Sequence, residues 1–342
     1  MRIAIVTDAW SPQVNGVVRT LQSVAAELRA MGHELLIVSP DCYASVPCPT
    51  YPEIRLALPR PGAVGRTLGG FLPDAVHIAT EGPLGLRARR WCLTQGLPFT
   101  TAYHTQFPEY VAARIRAVSP EWVWRYVRWF HAPSAAILAS TPSVAAALAA
   151  HGLAQSRPWG RGVDTALFHA DGTRDAGVRA LPGPIQLYAG RVAVEKNIAA
   201  FLATDVPGTK VVVGDGPARA ALTAQYPDVH FLGAKFGEDL AAIYRAADVF
   251  VFPSRTDTFG LVMIEALACG TPVAALPVQG PVDVLIPDVG VMDDALDVAI
   301  AKALTLDREG CARYGQGFTW RASAEQFLAA LAPIDRNLRT AA

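Results

Sequence analysis

Residues 249–275 read VFVFPSRTDTFGLVMIEALACGTPVAA, a stretch with the pattern of a strand, a turn, a helix and a second strand. The apolar run Val249–Phe252 is typical of a parallel strand that is buried on both faces. A polar turn follows, and the next apolar segment predicts a helix that begins near Phe259 and ends at Gly270. The short run Pro272–Ala275 predicts the next strand. The stretch therefore predicts a β-α-β unit of an α/β sheet.

The same alternation extends along the whole chain and restarts once. In the first half, apolar residues at helical spacing from Val17 to Met31 separate two strand-like runs, and Gly32 is a suitable C-cap. The Gly- and Pro-rich stretch from Asp171 to Pro184 is the natural linker, after which the alternation begins again. The predicted strands are Ile3–Thr7, Leu35–Ser39, Ile54–Leu58, Ala75–Ala79, Phe99–Tyr103 and Ala135–Ala139, followed by Ile185–Ala189, Lys210–Val213, Val229–Leu232, Val249–Phe252 and Pro272–Ala275.

Two runs of β-α alternation predict two doubly wound, Rossmann-like α/β domains. We expect a ligand at the carboxyl ends of the strands, in a cleft between the domains. The predicted domains are residues 1–170 and 171–318, and residues 319–342 form a C-terminal helix that we expect to pack back towards the N-terminal domain. This architecture alone does not specify a reaction.

The amino-acid composition argues against several classes of function. The chain has 342 residues, 51% of them hydrophobic and 18% charged, which indicates a folded protein with extensive burial. Its net charge of zero argues against nucleic-acid binding, because such proteins depend on attraction to phosphates. Five scattered cysteines have neither disulfide nor zinc-site spacing, so we predict a reducing compartment and no metal site. No signal peptide or transmembrane helix is predicted, and we expect a cytoplasmic protein.

The predicted helix after Val249–Phe252 offers an anion site. The unpaired N–H groups in the first turn of such a helix, together with its dipole, favour a phosphate. Asp257 precedes this helix and Glu265 lies two turns along it, so one carboxylate could meet a polar ligand at the helix start and the other could accept bonds from vicinal hydroxyls, as in ribose. The alternatives are that Asp257 only caps the helix and that Glu265 is solvated.

A second candidate site follows the first strand of the second domain. Arg191 and Lys196 flank the turn after Ile185–Ala189, and a guanidinium with an ammonium suits a diphosphate. Salt bridging is the alternative. The next strand ends in Val213-Gly214-Asp-Gly-Pro217, a tight turn that lacks the third glycine of a dinucleotide fingerprint. No P-loop motif occurs in the sequence.

Two residues of the first half are also candidates. Gly16 lies where the first strand leads into the first helix, and it permits close approach of a ligand to the backbone. An ordinary loop glycine is the alternative. His104 follows the strand Phe99–Tyr103, at the edge where functional residues of α/β sheets gather. A structural histidine competes with that interpretation.

Together, these motifs resemble the family-four retaining glycosyltransferases of the GT-B fold. The resemblance rests on the chain order of Pro-x-x-Asn-Gly-Val, a strand-end histidine, Gly-Arg-x₄-Lys, Val-Gly-Asp-Gly-Pro and Asp-Thr-Phe-Gly-Leu-x₃-Glu-Ala-x-Ala-x-Gly-x-Pro-Val. It spans nearly the whole chain. Residues 80–85, 99–110 and 277–284 look most like bacterial GDP-mannose-dependent α-mannosyltransferases, and sulfoquinovosyl- and glucosyl-diacylglycerol synthases look like near relatives.

The resemblance implies a nucleotide-sugar donor site mostly in the second domain, with the acceptor on the first. Arg191 and Lys196 would hold the diphosphate and Glu265 the ribose, while Gly16 would close on the donor and His104 would contact the sugar at the reacting centre. The family's E-x₇-E pattern begins here with Asp257, which is one methylene shorter than glutamate. Asp257 with the amides of the helix start would hold the transferred sugar and phosphate, and Gly214 is also placed in the donor site. The residues of that helix start are Phe259, Gly260, Leu261 and Val262.

The implied reaction transfers a hexose with retention of anomeric configuration, needs no metal or other cofactor, and uses the leaving diphosphate to help take the acceptor proton. The favoured donor is GDP-mannose and the favoured acceptor a lipid or glycolipid. UDP-sugar-dependent glucosyl, glucuronosyl or sulfoquinovosyl transfer to diacylglycerol is the alternative. A nucleotide-sugar epimerase and a non-catalytic sugar-nucleotide binder are the other functions considered.

Residues 114–131 suggest where an acceptor membrane is contacted. Four arginines alternate there with tryptophan, tyrosine and phenylalanine, a composition suited to anionic headgroups. The segment lies in the basic half of the chain, since residues 1–168 carry a net charge of +5 and residues 169–342 one of −5. We therefore expect peripheral contact with the inner face of the cell membrane. The alternative is that these aromatic residues pack an ordinary helix beside the acceptor pocket.

Overall fold

The chain divides into two compact units, each built on its own six-stranded parallel sheet. The structure is a computed structural model that describes residues 1–13, 15–48, 51–104 and 119–335. The first unit comprises Met1–Gly160 and the chain from Trp320 onwards, and the second comprises Arg161–Thr319. The prediction of two doubly wound α/β domains is confirmed.

The first unit has strand order β2-β1-β5-β6-β7-β8 in its main sheet, and β3 and β4 form a separate hairpin. Its strands are β1 (Arg2–Val6), β2 (Glu34–Val38), β3 (Ser45–Cys48), β4 (Tyr51–Ala57), β5 (Ala75–Ile78), β6 (Thr100–Tyr103), β7 (Ala136–Ala139) and β8 (Ser156–Pro158). Its helices are α1 (Gly16–Ala30), α2 (Ala63–Phe71), α3 (Pro83–Thr94), α4 (Pro120–His131), α5 (Pro142–Ala150) and, after the second unit, α14 (Trp320–Ala330).

The second unit repeats this design with strand order β11-β10-β9-β12-β13-β14. Its strands are β9 (Ile185–Ala189), β10 (Thr209–Val213), β11 (His230–Gly233), β12 (Val249–Phe252), β13 (Val273–Ala275) and β14 (Gly290–Met292). Its helices are α6 (Ala176–Arg179), α7 (Ile198–Leu202), α8 (Arg219–Gln225), α9 (Gly237–Ala246), α10 (Leu261–Ala268), α11 (Pro281–Val284), α12 (Leu296–Ala303) and α13 (Arg308–Gly315).

The continuous apolar strands follow from burial on both faces of each sheet. In β9, Leu187 packs into the same cluster as Phe250, whereas its neighbour Tyr188 packs with Val251 on the opposite face. Successive side chains of a strand point to opposite faces, so a sheet covered by helices on both sides favours apolar residues at most positions. This is why the strand predictions of the second half agree with the structure to within about one residue at each end.

The β3–β4 hairpin and two edge strands differ from the sequence prediction. The run Ile54–Leu58 was expected to be a parallel strand, but the structure places most of it in β4, which pairs antiparallel with β3 outside the main sheet. The edge strands β8 and β14 were not predicted. Each has only three residues, and Ser156–Pro158 is partly exposed, so neither segment has the long apolar run of a central strand.

The strand order reverses direction once in each sheet. The chain runs outward from β1 to β2 and then returns to the other side of β1 at β5. In the second unit, β10 and β11 lie on one side of β9, and β12 lies on the other. Loops diverge at such a switch point and leave a crevice at the carboxyl ends of the two central strands, which is where α/β proteins bind ligands.

The C-terminal helix completes the first unit. Helix α14 packs along α1, and its Phe327 is buried against the edge of the His77 ring, with ring centroids 4.8 Å apart. His77 lies on β5 and is fully buried, and burial lowers its pKa to about 3. The imidazole is therefore neutral at physiological pH, and its Nδ1 lies 2.9 Å from Thr100 Oγ1.

None of the helices within the described ranges has both the length and the apolar character needed to cross a bilayer.

Candidate functional site

The switch point of the second unit brings together residues that are far apart in sequence. Lys196 follows β9, and Asp257 follows β12, the adjacent strand in the sheet. The Lys196 ammonium donates to both oxygens of the Asp257 carboxylate, at 2.6 and 2.9 Å. About a quarter of each side chain is exposed, so the pair lies at the surface of the crevice and an entering ligand can reach it. The salt bridge suggested for the Arg191–Lys196 turn thus involves Lys196 and Asp257.

An asparagine that sequence analysis did not select fixes the spacing of these two loops. Asn197 has a left-handed backbone, with φ 54°, and its side-chain amide donates to the Pro253 carbonyl at 3.0 Å. The bond joins the turn after β9 to the turn after β12. Asparagine tolerates this conformation better than most residues. An asparagine directly after Lys196 was therefore the sequence signal that could have predicted this left-handed turn residue.

Arg191 lies on the same turn, with an exposed side chain and an anchored backbone. Its carbonyl accepts a hydrogen bond of 2.8 Å from the Tyr188 hydroxyl. Burial, with the negative charges of Asp257 and Glu195 nearby, raises the pKa of Tyr188 well above its ordinary value. The phenol therefore stays protonated and can hold the turn in place as a donor.

Gly214 is required by close packing between two loops of the protein. A Cβ at this position would lie 1.8 Å from the Gly190 carbonyl oxygen, and φ is 134°. Gly190 in turn donates its N–H to the Val213 carbonyl at 3.0 Å. The turn after β10 thus lies directly against the turn that carries Arg191. Gly214 allows this backbone contact, whether or not a ligand also approaches it.

Helix α10 begins later than the sequence predicted and has a different cap. Its range is Leu261–Ala268, and its N-cap is Gly260 in the left-handed region, with φ 84°, so the predicted start near Phe259 was two residues early. No side chain in the described part of the chain caps this helix, so the suggestion that Asp257 caps it was wrong. The first-turn N–H groups of α10, including those of Leu261 and Val262, have no partner within the helix. They remain suited to an anion.

Phe259 and Gly280 shape the turn between Asp257 and this helix. Phe259 is buried in the core, and its ring meets that of Phe318 edge to face at 6.3 Å. Gly280 has φ 93°, and a Cβ there would lie 3.0 Å from the carbonyl oxygen of Asp257. The turn is thus held from both sides, which keeps the Asp257 carboxylate in register with Lys196.

Glu265 is buried, with only 2% of its surface exposed, so the suggestion that it is solvated was wrong. Its Oε2 lies 3.1 Å from the hydroxyl of Tyr244, a fully buried residue of α9 that donates to it. A buried carboxylate needs such donors, because water cannot solvate it. Tyr244 was not predicted as a site residue, because its position in an ordinary amphipathic helix gives no signal.

In the first unit, Gly16 and His104 lie in the predicted places. Gly16 is the exposed first residue of α1, and the Asn15 side chain caps this helix by accepting bonds of 3.0 Å from the N–H groups of Val17 and Val18. His104 directly follows β6, and its half-buried ring lies edge-on to Trp159 with centroids 5.3 Å apart. Residues 105–118, which follow His104, lie outside the described ranges.

Asp8, at the end of β1, was not selected from the sequence. Its carboxylate accepts from the N–H groups of Leu84 and Gly85 at 2.9 and 3.3 Å and from the Thr80 hydroxyl at 3.0 Å. Leu84 and Gly85 belong to the first turn of α3, so a buried side chain already occupies this helix start. Burial raises the pKa of Asp8, although these bonds oppose the shift.

The aromatic side chains of helix α4 differ in their exposure to solvent. Of the 114–131 segment, residues 114–118 lie outside the described ranges. Trp124 is buried and stacks on His151 at 3.6 Å, as expected for ordinary packing. Trp122 and Trp129 are 67% and 54% exposed, and they lie about two turns apart on the same face of the helix. The helix therefore packs one aromatic face and presents the other to solvent.

Within the described ranges, no group of three or more His, Cys, Asp or Glu side chains is arranged to hold a metal ion.

Comparison with known proteins identifies the family of this chain. The profile of the family described as "Glycosyltransferase Family 4" matches residues 14–167, and that of "Glycosyl transferases group 1" matches residues 183–305. A GDP-mannose-dependent α-mannosyltransferase from Mycolicibacterium smegmatis is 33% identical over 92% of this chain and 91% of its own length. The sulfoquinovosyl transferase SQD2 of Arabidopsis thaliana is 27% identical over 80% of this chain and 59% of its own length.

Solved structures show the same fold. Sucrose-phosphate synthase from Thermosynechococcus elongatus superimposes with a TM-score of 0.77 and 25% identity over the whole of both chains. HepE from Anabaena, in complex with UDP-glucose, gives a TM-score of 0.68 and 15% identity over 96% of this chain and 98% of that one.

Proposed function

This chain belongs to glycosyltransferase family 4 and has the GT-B fold, and on that premise we propose that it transfers mannose from GDP-mannose to a lipid or glycolipid acceptor. The hexosyltransferase activity follows from family membership. The choice of donor is supported by the mycobacterial relative, which matches along nearly the full length of both chains. The Lys196–Asp257 pair at the switch point, beside the start of α10, carries the assignment of the donor site.

We assign the donor diphosphate to Arg191, Lys196 and the first-turn amides of α10. In this assignment the diphosphate displaces the Asp257 carboxylate as the partner of the Lys196 ammonium, and Asp257 turns to the hydroxyl groups of the transferred sugar. A buried carboxylate that already accepts from Tyr244 is suited to ribose, since its remaining acceptor capacity can take hydroxyl donors. Glu265 is therefore assigned to the ribose.

The proposed reaction retains the configuration of the sugar. The bond between the anomeric carbon and the GDP oxygen breaks, and the acceptor oxygen forms a bond to the same face of that carbon. The acceptor proton passes to the departing phosphate oxygen, so atoms and charge balance without an enzyme nucleophile. Negative charge grows on the diphosphate during this step, and the preorganised Arg191, Lys196 and α10 amides stabilise it. We assign His104 to contact with the sugar at the reacting centre and Gly16 to the donor.

A ligand panel followed by a transfer assay tests the donor. GDP, UDP, ADP and NAD are compared in thermal unfolding, since a ligand at about 100 times its Kd adds roughly 2.7 kcal/mol of stability. We expect GDP to stabilise the protein most and GDP-mannose to yield a mannosylated lipid with an unchanged α configuration, in the presence of EDTA as in its absence. Stabilisation by UDP alone would overturn the assignment of the donor.

UDP-sugar-dependent transfer to diacylglycerol is the second candidate. It is favoured by the relatives SQD2 and the α-monoglucosyldiacylglycerol synthase of Streptococcus pneumoniae, each 27% identical over 80% of this chain. Incubation with UDP-glucose or UDP-sulfoquinovose and dispersed diacylglycerol distinguishes the two candidates by the sugar found on the product.

We further propose that residues 114–131 touch the inner face of the cell membrane. The exposed Trp122 and Trp129 on α4 support this, with Arg125 lying 5.0 Å from the Trp122 ring centroid. Tryptophan beside arginine favours an interface between water and anionic headgroups. Flotation with anionic liposomes should carry the protein to the top of a gradient, and a Trp122→Ser/Trp129→Ser variant should remain at the bottom. Flotation of both proteins alike would exclude α4 as the contact.

A further inference from the structure

The first unit contains a groove of about 700 Å³ that the proposed donor site does not use. The groove is lined by residues of helix α3, by residues 57–59 at the end of β4, and by Trp129 near the end of α4, which is called the tryptophan wall below. This volume lies within the roughly 300–1,000 Å³ that is typical of small-molecule sites. The groove lies entirely within the first unit, so its chemistry can be considered independently of the donor.

Among the described residues, three arginines line this groove. Arg87 and Arg90 are exposed residues three apart on α3, so their Cβ atoms lie about 5–6 Å apart and both side chains can reach one anion. Among the residues that the structure describes, neither forms an ion pair with an acid, and none of those lining the groove is acidic. Two guanidinium groups that can reach one anion have the donor chemistry that suits a phosphate.

Arg89, the third arginine, holds the tryptophan wall in place. It is 9% exposed and donates to the carbonyls of Phe130 and Trp129 at 2.9 and 2.6 Å. Its guanidinium also lies 4.1 Å from the centre of the Trp129 ring. Both hydrogen bonds of Arg89 and this ring contact go to α4, so Arg89 fixes the end of α4 against α3, and phosphate binding is left to Arg87 and Arg90.

The remainder of the groove surface is largely apolar. Leu58 and Leu93 are 56% and 45% exposed, and with the Trp129 ring they provide hydrocarbon contact beside the two guanidinium groups. Exposed leucines grouped around a groove indicate a ligand, whereas single exposed leucines need no explanation. A free phosphate would make no use of these side chains. The combination fits a molecule with an anionic head and a hydrocarbon tail.

We propose that this groove is a binding site for an anionic phospholipid, with the headgroup phosphate between Arg87 and Arg90 and the start of the acyl chains on Leu58, Leu93 and Trp129. The site is distinct from adsorption of α4 to a membrane surface, because it takes a single lipid molecule. It is also distinct from the mannosyl-transfer chemistry, because the donor has no part in it.

Calorimetric titration with a short-chain lipid below its micelle concentration tests the proposal without donor or membrane. We expect dihexanoyl phosphatidylglycerol to bind at least about tenfold more tightly than dihexanoyl phosphatidylcholine. Both headgroups carry the phosphate, but the choline ammonium adds a positive charge that the two guanidinium groups repel. Glycerol phosphate, which has the anion without the chains, should bind more weakly than the lipid. Equal affinity for the two lipids, or for the lipid and glycerol phosphate, overturns the proposal.

Two variants and a control test separately the phosphate-binding arginines and the apolar side chains of the groove. Arg87→Gln/Arg90→Gln should lose the preference for the anionic lipid, and Leu93→Gln should weaken lipid binding but not glycerol phosphate binding. Arg29→Gln removes an exposed arginine from α1 outside the groove and should bind like the wild type. Affinity equal to wild type in the double variant overturns the proposal. Thermal stabilisation by GDP reports separately on the donor site. A failure of the groove proposal can therefore be distinguished from a failure of the proposed donor site.

Discussion

The Lys196 ammonium and the Asp257 carboxylate form a two-point ion pair, with N–O distances of 2.6 and 2.9 Å, although 61 residues separate them in the chain. The pair forms because β9 and β12 are neighbours in the sheet and both loops leave it at the carboxyl edge. It places one positive and one negative group beside the start of α10, which gives each residue a distinct expected role in donor binding.

Replacement of Lys196 by alanine should abolish most turnover. The ammonium faces the charge that grows on the leaving diphosphate, and loss of one such preorganised donor costs about 3–4 kcal/mol of barrier, or roughly 10²–10³ in kcat. Steady-state rates with GDP-mannose and a lipid acceptor measure this. Lys302→Ala, at a largely exposed lysine on α12, is the matched control and should keep the wild-type rate. Near-normal turnover of Lys196→Ala would remove Lys196 from the donor site.

Asp257→Asn should separate binding of the diphosphate from transfer of the sugar. Asparagine is nearly isosteric but carries no charge, so the Lys196 ammonium no longer has a competing carboxylate and GDP should bind at least as tightly as to the wild type. Transfer should fall because the sugar hydroxyls lose a charged acceptor. Asp257→Glu restores the charge with one more methylene and should recover part of the rate. Calorimetry with GDP and the rate of transfer are measured on all three proteins. Weaker GDP binding by Asp257→Asn contradicts this account.

Gly214→Ala should destabilise the second unit strongly. The added Cβ would lie 1.8 Å from the Gly190 carbonyl oxygen, so one of the two turns has to move. Overpacking and an unfavourable φ together should cost about 2–6 kcal/mol. Gly152→Ala is the control, because Gly152 also has a positive φ, 81°, but has open space around it. Urea denaturation should show that Gly214→Ala lowers the free energy of unfolding by much more than the control substitution does. Equal losses would show that φ alone determines the cost.

The buried His77 should make the protein less stable in mild acid. Its folded-state pKa of about 3 lies below the ordinary value of 6.5. The neutral ring therefore makes its full contribution to the free energy of unfolding above pH 6.5, and that contribution is lost as the pH falls towards 3. Between pH 7 and pH 5 this loss is about 2 kcal/mol. His77→Gln has no titrating group there, so its unfolding free energy should change less over this interval, whatever its stability at pH 7. The same change in both proteins would exclude His77 as the cause.

The sequence predicted the local elements well wherever their cause is local. Strands such as Val249–Phe252 are apolar at every position because helices cover both faces of the sheet, and that run is visible in the sequence itself. The predicted helix from Val17 to Met31 corresponds to α1, and Gly32 follows its C-cap with φ 84°. The prediction for Ile54–Leu58 was wrong because an apolar run does not reveal whether its partner strand is parallel or antiparallel.

The sequence by itself determined that the chain forms two sets of alternating strands and helices, and it identified Arg191, Lys196, Asp257 and Glu265 as site candidates. Only the tertiary structure decided which of these groups meet. The Lys196–Asp257 pair, the Tyr244–Glu265 bond and the contact of Gly214 with Gly190 all depend on strand order and on where neighbouring loops leave the sheet. Hydrophobic periodicity reports the burial of each segment, which is a local property, whereas strand order is set by packing of the whole sheet.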